Sequence, residues 1–232
     1  MNRKSKTFTM VELLVVISIV MVLISMLQPA LKSMMTKAHR VTCQNNLKQI
    51  GTAYALYPED NDGWLCRGGN MYWGYELKDY LNFSFPSEER YYRNFNAKNT
   101  LLECPNTDYG NEEQSPLYGG YGFNTGYMGA FEVNYRRANL RRQKMYTVSN
   151  PSETLVIGDA MNYFKNNPRY HLMYAPSSIP WHEKAGYGSF VYTRHEGGLN
   201  IMWADGHGSH RDWESFKLGR GTDLNYYYKI SK

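Results

Sequence analysis

The chain has 232 residues, 26 Lys and Arg against 21 Asp and Glu, and a formal charge of +5. Removing the cations Arg3, Lys4 and Lys6 at the start leaves 23 basic against 21 acidic residues, which is no nucleic-acid footprint. Twenty-one tyrosines, five tryptophans and 20 glycines describe an aromatic, turn-rich globular part, and three cysteines leave at least one thiol unpaired within the chain.

In chain order, a basic leader over residues 1–7 precedes an apolar run over residues 8–28. Twenty helical residues span about 30 Å, the thickness of a bilayer's hydrocarbon core. One carboxylate, Glu12, interrupts the run, and an ionised side chain in lipid costs about 2–3 kcal/mol on insertion scales unless something offsets it. A plain signal anchor explains the length, and the cationic leader keeps the N-terminus cytoplasmic, but neither explains Glu12. A cleaved secretory signal has a shorter apolar region and a better small-residue site than Gln28-Pro29-Ala30. Cleavage before Phe8 would place a new positive amine one helical turn from Glu12.

These residues carry a resemblance. Phe8-Thr9-Met10-Val11-Glu12-Leu13-Leu14 is similar to the N-terminal signature of type IV pilins and type II secretion pseudopilins. The resemblance implies that a prepilin peptidase cuts between Thr7 and Phe8 and methylates the new amine. It implies too that Glu12 pairs with the Phe8 amine of a neighbouring subunit. The residue before the cut is usually Gly in that family; here it is Thr7.

Pro29 is expected to kink or locally open the helix. Beyond it Ala30, Leu31, Met34, Met35, Ala38, Val41, Leu47, Ile50, Tyr54 and Tyr57 recur at helical spacing, so an amphipathic continuation is expected over residues 29–57. It ends at the breaker-rich Pro58-Glu59-Asp60-Asn61-Asp62-Gly63. The remaining residues, 58–232, suffice for one extracytoplasmic head. Cys43, Cys66 and Cys104 then lie where disulfides persist. A Cys43–Cys104 bridge would staple head to helix and add about 3–5 kcal/mol in the chain-entropy model, although spacing alone leaves the pairing open.

Within the head, residues 77–81 read as one short helix and residues 107–130 as loops and turns, because Gly, Asn and Pro recur. Arg136-Arg137 and Arg141-Arg142 with Lys144 form a basic patch that reads as solvated surface. Strands are expected over residues 154–157, 189–193 and 200–203. The last two are joined as a hairpin through Gly197-Gly198, and Asp205-Gly206 turns into His207-Gly208-Ser209-His210. The whole reads as α+β: a long N-terminal transmembrane and amphipathic helix packed on an antiparallel β-sheet head, as in pilins.

A second resemblance covers the C-terminal half. His195, nine residues and then Asp205-Gly206 are similar to the H-x9-DG element, residues 195–206, of pseudopilin-like proteins abundant in Planctomycetes and Lentisphaerae. Asn45-Asn46-Leu47-Lys48-Gln49-Ile50-Gly51, Cys104-Pro105 and Gly158-Asp159 also fit. No reaction attaches to the element, so no catalytic residues are expected.

Asp159, His195, Asp205 and His207, with His210, are the candidate metal ligands, weighed against a structural role in which His195 hydrogen-bonds the turn carboxylate. Zinc spacing such as C-x2-C is missing, and Ca2+ at Asp159 and Asp205 would need more oxygen ligands than the sequence offers. The expected role is a non-enzymatic filament subunit of a secretion pseudopilus or type IV pilus-like fibre. It is held in the inner membrane with its head in the periplasm or outside the cell. Its expected partners are the peptidase, copies of itself or paralogous pseudopilins, the assembly platform and lipid. The alternatives are a tethered module whose aromatic rings bind sugar or peptide, and a metal-dependent enzyme.

Overall fold

The computed structural model describes residues 8–68, 72–83, 100–106, 120–124, 143–161, 172–173, 189–190 and 194–212. Helix α1 (Met10–Asp60) is continuous, through Pro29 included. The chain forms two compact units, Met1–Ala38 and His39–Lys232.

The first unit is the apolar part of α1. Its large side chains from Phe8 to Met35 are exposed on every face of the helix, with no polar side to present to water. Two hydroxyls in the middle of it are satisfied within the helix: Ser18 Oγ donates to the Leu14 carbonyl at 2.8 Å and Ser25 Oγ to that of Val22 at 2.7 Å. The window is long and apolar enough to cross a membrane.

The second unit builds its core on the rest of α1. Cys43, Leu47, Ile50, Tyr54 and Tyr57 are buried at alternating four- and three-residue steps, which places them on one stripe. Val41, expected in that stripe, is half exposed, while Cys43 and Gly51 belong to it. The helix stops where Asp62 and Gly63 adopt positive φ and the Gly63 amide bonds the Pro58 carbonyl at 2.9 Å. Next comes α2 (Tyr72–Glu76), whose turns continue to Leu81 through the Leu77 and Leu81 amides. The short helix expected over 77–81 therefore begins five residues earlier, because Trp73 and Leu77 are the pair that anchors it in the core.

The sheet comprises β1 (Tyr121–Asn124), β2 (Leu155–Met161), β3 (Leu172–Met173), β4 (Ser189–Phe190), β5 (Gly198–Trp203) and β6 (Gly208–Asp212). Strands β1, β2, β5 and β6 lie side by side, antiparallel throughout, with β3 parallel to β1 at one edge. Two expectations are corrected. The glycine-rich stretch 107–130 contains a strand, β1, since Tyr121 and Phe123 are fully buried and Gly122 pairs with Gly158. The hairpin expected between residues 189–193 and 200–203 is not formed among the described residues, where β4 pairs with the end of β2 and β5 with its first part; residues 191–193 lie outside them. The turn before β5 is instead a tight one in which the Gly198 amide bonds the His195 carbonyl at 3.2 Å.

The expected Asp205-Gly206 turn joins β5 to β6. Gly206 sits at φ +86°, the Trp203 amide bonds the His207 carbonyl at 2.9 Å, and Asp205 Oδ1 accepts the His207 amide at 3.1 Å. This turn lies against α1, backbone to backbone. A Cβ on Gly51 would stand 2.1 Å from the Gly206 carbonyl oxygen, and one on Gly206 would stand 2.7 Å from that of Gly51. The two glycines allow an approach that no other residue permits.

Candidate functional site

Two places in the chain carry candidate functional residues, one in each unit, and each has its own local chemistry. At the N-terminus, Thr9 and Glu12 form a reciprocal cap. The Glu12 amide donates to Thr9 Oγ1 at 3.3 Å, while Glu12 Oε2 accepts the Thr9 amide and the Thr9 hydroxyl, each at 2.8 Å. This is the capping box of a Thr-x-x-Glu sequence, which satisfies two orphan donors at the start of α1. The pattern stood in the sequence, hidden by the reading of Glu12 as an isolated charge. Phe8 is exposed one residue before the cap, and Thr7 lies outside the described residues.

In the second unit, Cys43 of α1, Cys104 of the 100–106 segment, Asp159 of β2 and His195 of the turn before β5 converge. All four are fully buried, and one ligand atom from each lies within 4.8 Å of every other. Cys43 Sγ donates to Asp159 Oδ1 at 3.3 Å, Cys104 Sγ lies 3.3 Å from His195 Nε2, and that nitrogen lies 3.3 Å from Asp159 Oδ2. Further groups hold these side chains in place. The Asn200 amide donates to Asp159 Oδ2 at 2.7 Å, and Arg194 places Nη1 3.5 Å from Asp159 Oδ1 while donating to the Gly120 carbonyl at 2.6 Å. The Tyr121 hydroxyl donates to Cys43 Sγ at 3.3 Å.

Electrostatics separate the two thiols. Burial, with Cys104 and Asp159 adding to it, pushes the Cys43 thiol up. Burial also opposes ionisation of Cys104, but hydrogen bonds from Cys43 and His195 outweigh it and hold the thiol down to about 6. Burial disfavours the His195 imidazolium, yet Asp159 and Cys104 raise it to about 9. Asp159 stays below the usual carboxylate range against its burial, through His195, Arg194 and the Asn200 amide.

The sequence candidates thus divide. Asp159 and His195 meet in this cluster, whereas Asp205 and His207 form an exposed pair at the β5–β6 turn, 2.6 Å apart. The expected bond from His195 to the turn carboxylate is therefore replaced by bonds to Asp159 and Cys104. His210 lies apart from both, its Nδ1 3.0 Å from Asn200 Oδ1. Cys43 and Cys104, possible bridge partners by the sequence, come together without a disulfide between them, and Cys66 is buried elsewhere in the core. Asn46, from the Asn-Asn-Leu-Lys-Gln-Ile-Gly segment, ties α1 to the Cys104 segment by donating to the Glu103 carbonyl at 2.9 Å. Of the basic patch, only Lys144 is described; it lies 4.8 Å over the Trp64 ring.

No curated protein and no solved structure matches the chain. Residues 2–27 match the family model described as the prokaryotic N-terminal methylation motif, and the chain therefore carries a prepilin-type N-terminus, as type IV pilins and pseudopilins do.

Proposed function

We propose that the protein is a structural subunit of a pilin-like filament, a type II secretion pseudopilus or type IV pilus-like fibre. In this reading a prepilin peptidase removes residues 1–7 and methylates Phe8, and α1 holds the subunit in the inner membrane until assembly. The head then faces the periplasm or the exterior, and Glu12 neutralises the Phe8 amine of a neighbouring copy or paralogue. The observation that carries the proposal is the methylation motif over residues 2–27, with Glu12 at the start of a helix whose first part is apolar on every face.

Mass spectrometry of the chain extracted from its native membrane tests the processing. A mature chain beginning at N-methylated Phe8 is expected. A chain still beginning at Met1 refutes the reading and leaves a tethered module. Assembly is tested by Glu12→Gln, because glutamine also serves at the third position of a capping box but carries no charge. The variant is expected to be processed and inserted normally and to enter filaments at a small fraction of the wild-type level. Normal incorporation would show that Glu12 serves only as a helix cap.

A further inference from the structure

We propose that Cys43, Cys104, Asp159 and His195 bind one divalent transition ion of the zinc type, held by two thiolates, a carboxylate oxygen and an imidazole nitrogen. The first argument is the size of the cluster. Zn–S bonds of about 2.3 Å and Zn–N or Zn–O bonds of about 2.0–2.2 Å at tetrahedral angles separate the ligand atoms by about 3.4–3.8 Å. Three contacts in the cluster measure 3.3 Å, two of them through different Asp159 oxygens, and none of the four ligand atoms lies more than 4.8 Å from another, so ligation needs shifts from a few tenths of an ångström to about 1 Å.

The second argument is orientation. His195 Nδ1 is buried with no hydrogen-bond partner among the described residues, so the ring engages the protein through Nε2, which faces both thiols and the carboxylate. The Tyr121 hydroxyl behind Cys43 and the Asn200 amide behind Asp159 hold two of the ligands in place, as groups supporting metal ligands do. The third argument is charge. As the ion enters, the protons held by the thiols and by His195 Nε2 leave to solvent. Two thiolates and a carboxylate around a dication carry a net charge of −1, and the buried Arg194 beside Asp159 neutralises it. Sulfur and imidazole donors select zinc-like ions over Ca2+, which takes oxygen.

The site is independent of filament assembly. The test uses the full chain, extracted in detergent without chelators. Elemental analysis is expected to find about one zinc per chain, and alkylation in denaturant with a chelator and no reductant is expected to count all three thiols. After removal of the metal, Co2+ alone is expected to give the visible and thiolate charge-transfer bands of a tetrahedral site. Cys104→Ser should lose the ion, and Cys66→Ser should keep it. Should Cys104→Ser fail to fold, the wild-type cobalt spectrum decides. A reduced wild-type chain that takes up neither Zn2+ nor Co2+ overturns the proposal. So does a native chain with one free thiol, because Cys43 and Cys104 are then a disulfide.

Discussion

Gly51→Ala is the substitution whose sign depends most directly on the fold. In an exposed helix interior the change stabilises by about 1 kcal/mol, since alanine is the better helix former. At residue 51 the added Cβ meets the Gly206 oxygen at 2.1 Å, the Gly206 carbonyl carbon at 2.9 Å and Met202 Cγ at 3.2 Å. A carbon and a carbonyl oxygen normally approach to about 3.3 Å, so the helix and the turn must part by about 1 Å. The two nearest atoms are backbone, and no rotamer relieves them. Overpacking of this kind costs about 3 kcal/mol at the upper end of its usual range. Less the propensity gain, the net loss is about 2 kcal/mol, and for a head of this size the midpoint should fall by about 4–8 °C. Near-UV circular dichroism of the detergent-solubilised chain during heating measures it. Gly63→Ala is the control: that glycine has φ +75° and nothing within 4 Å, so only backbone strain of about 1–2 kcal/mol applies. A Gly51→Ala chain as stable as wild type would refute the close approach of helix and turn.

Leu47→Ala empties a fully buried position on α1 and should cost about 2–5 kcal/mol in denaturant unfolding, whereas Leu31→Ala, at an exposed position, should leave the head's midpoint within about 0.5 kcal/mol. Gly198→Ala drives a Cβ to 2.5 Å from His210 Nε2 and 2.7 Å from the Arg211 carbonyl, and should lower the thermal midpoint by displacing β6 from β5. Burial and then the Arg40 charge hold His210 below its ordinary value, with His195 adding to the shift and Asp212 and Asp159 opposing it. The folded chain thus binds fewer protons than the unfolded one just below about pH 6.5, so this contribution is complete above that pH and is lost as pH falls. Denaturation midpoints of His210→Gln, measured across that window, should fall less steeply with acid than those of wild type; an equal slope would count against the assignment.

Patterns with a fixed period were legible before the fold was known. The apolar run of α1, the stripe through Leu47, Ile50, Tyr54 and Tyr57, and the Asp205-Gly206 turn all follow from local rules, and all are present. Strand β1 was hidden because glycine suppresses the strand signal, although Tyr121 and Phe123 alternate as a strand requires. The partner of β4 was hidden because the nearest apolar run in sequence is not its neighbour in the sheet. The cluster was harder still. Its four residues come from four segments between positions 43 and 195, so ligand spacing along the chain carries no trace of it. Of the four, Asp159 and His195 stand among the metal candidates that the sequence offers, beside Asp205 and His207, and the two cysteines stand there as possible bridge partners.

The contact between Gly51 and Gly206 also sets an order of events for the emerging chain. Residue 51 is synthesised long before residue 206, and the buried stripe on α1 needs β2 and β5 to cover it. Cys43, Leu47, Ile50 and Tyr54 must therefore wait, solvent-facing, until most of the head has been made. Docking of the β5–β6 turn onto α1 closes one of the long loops of the head, and its kinetics should limit how fast the native core forms. A ribosome stalled before residue 206 would hold a chain whose stripe from Cys43 to Tyr57 is still uncovered and open to chaperones.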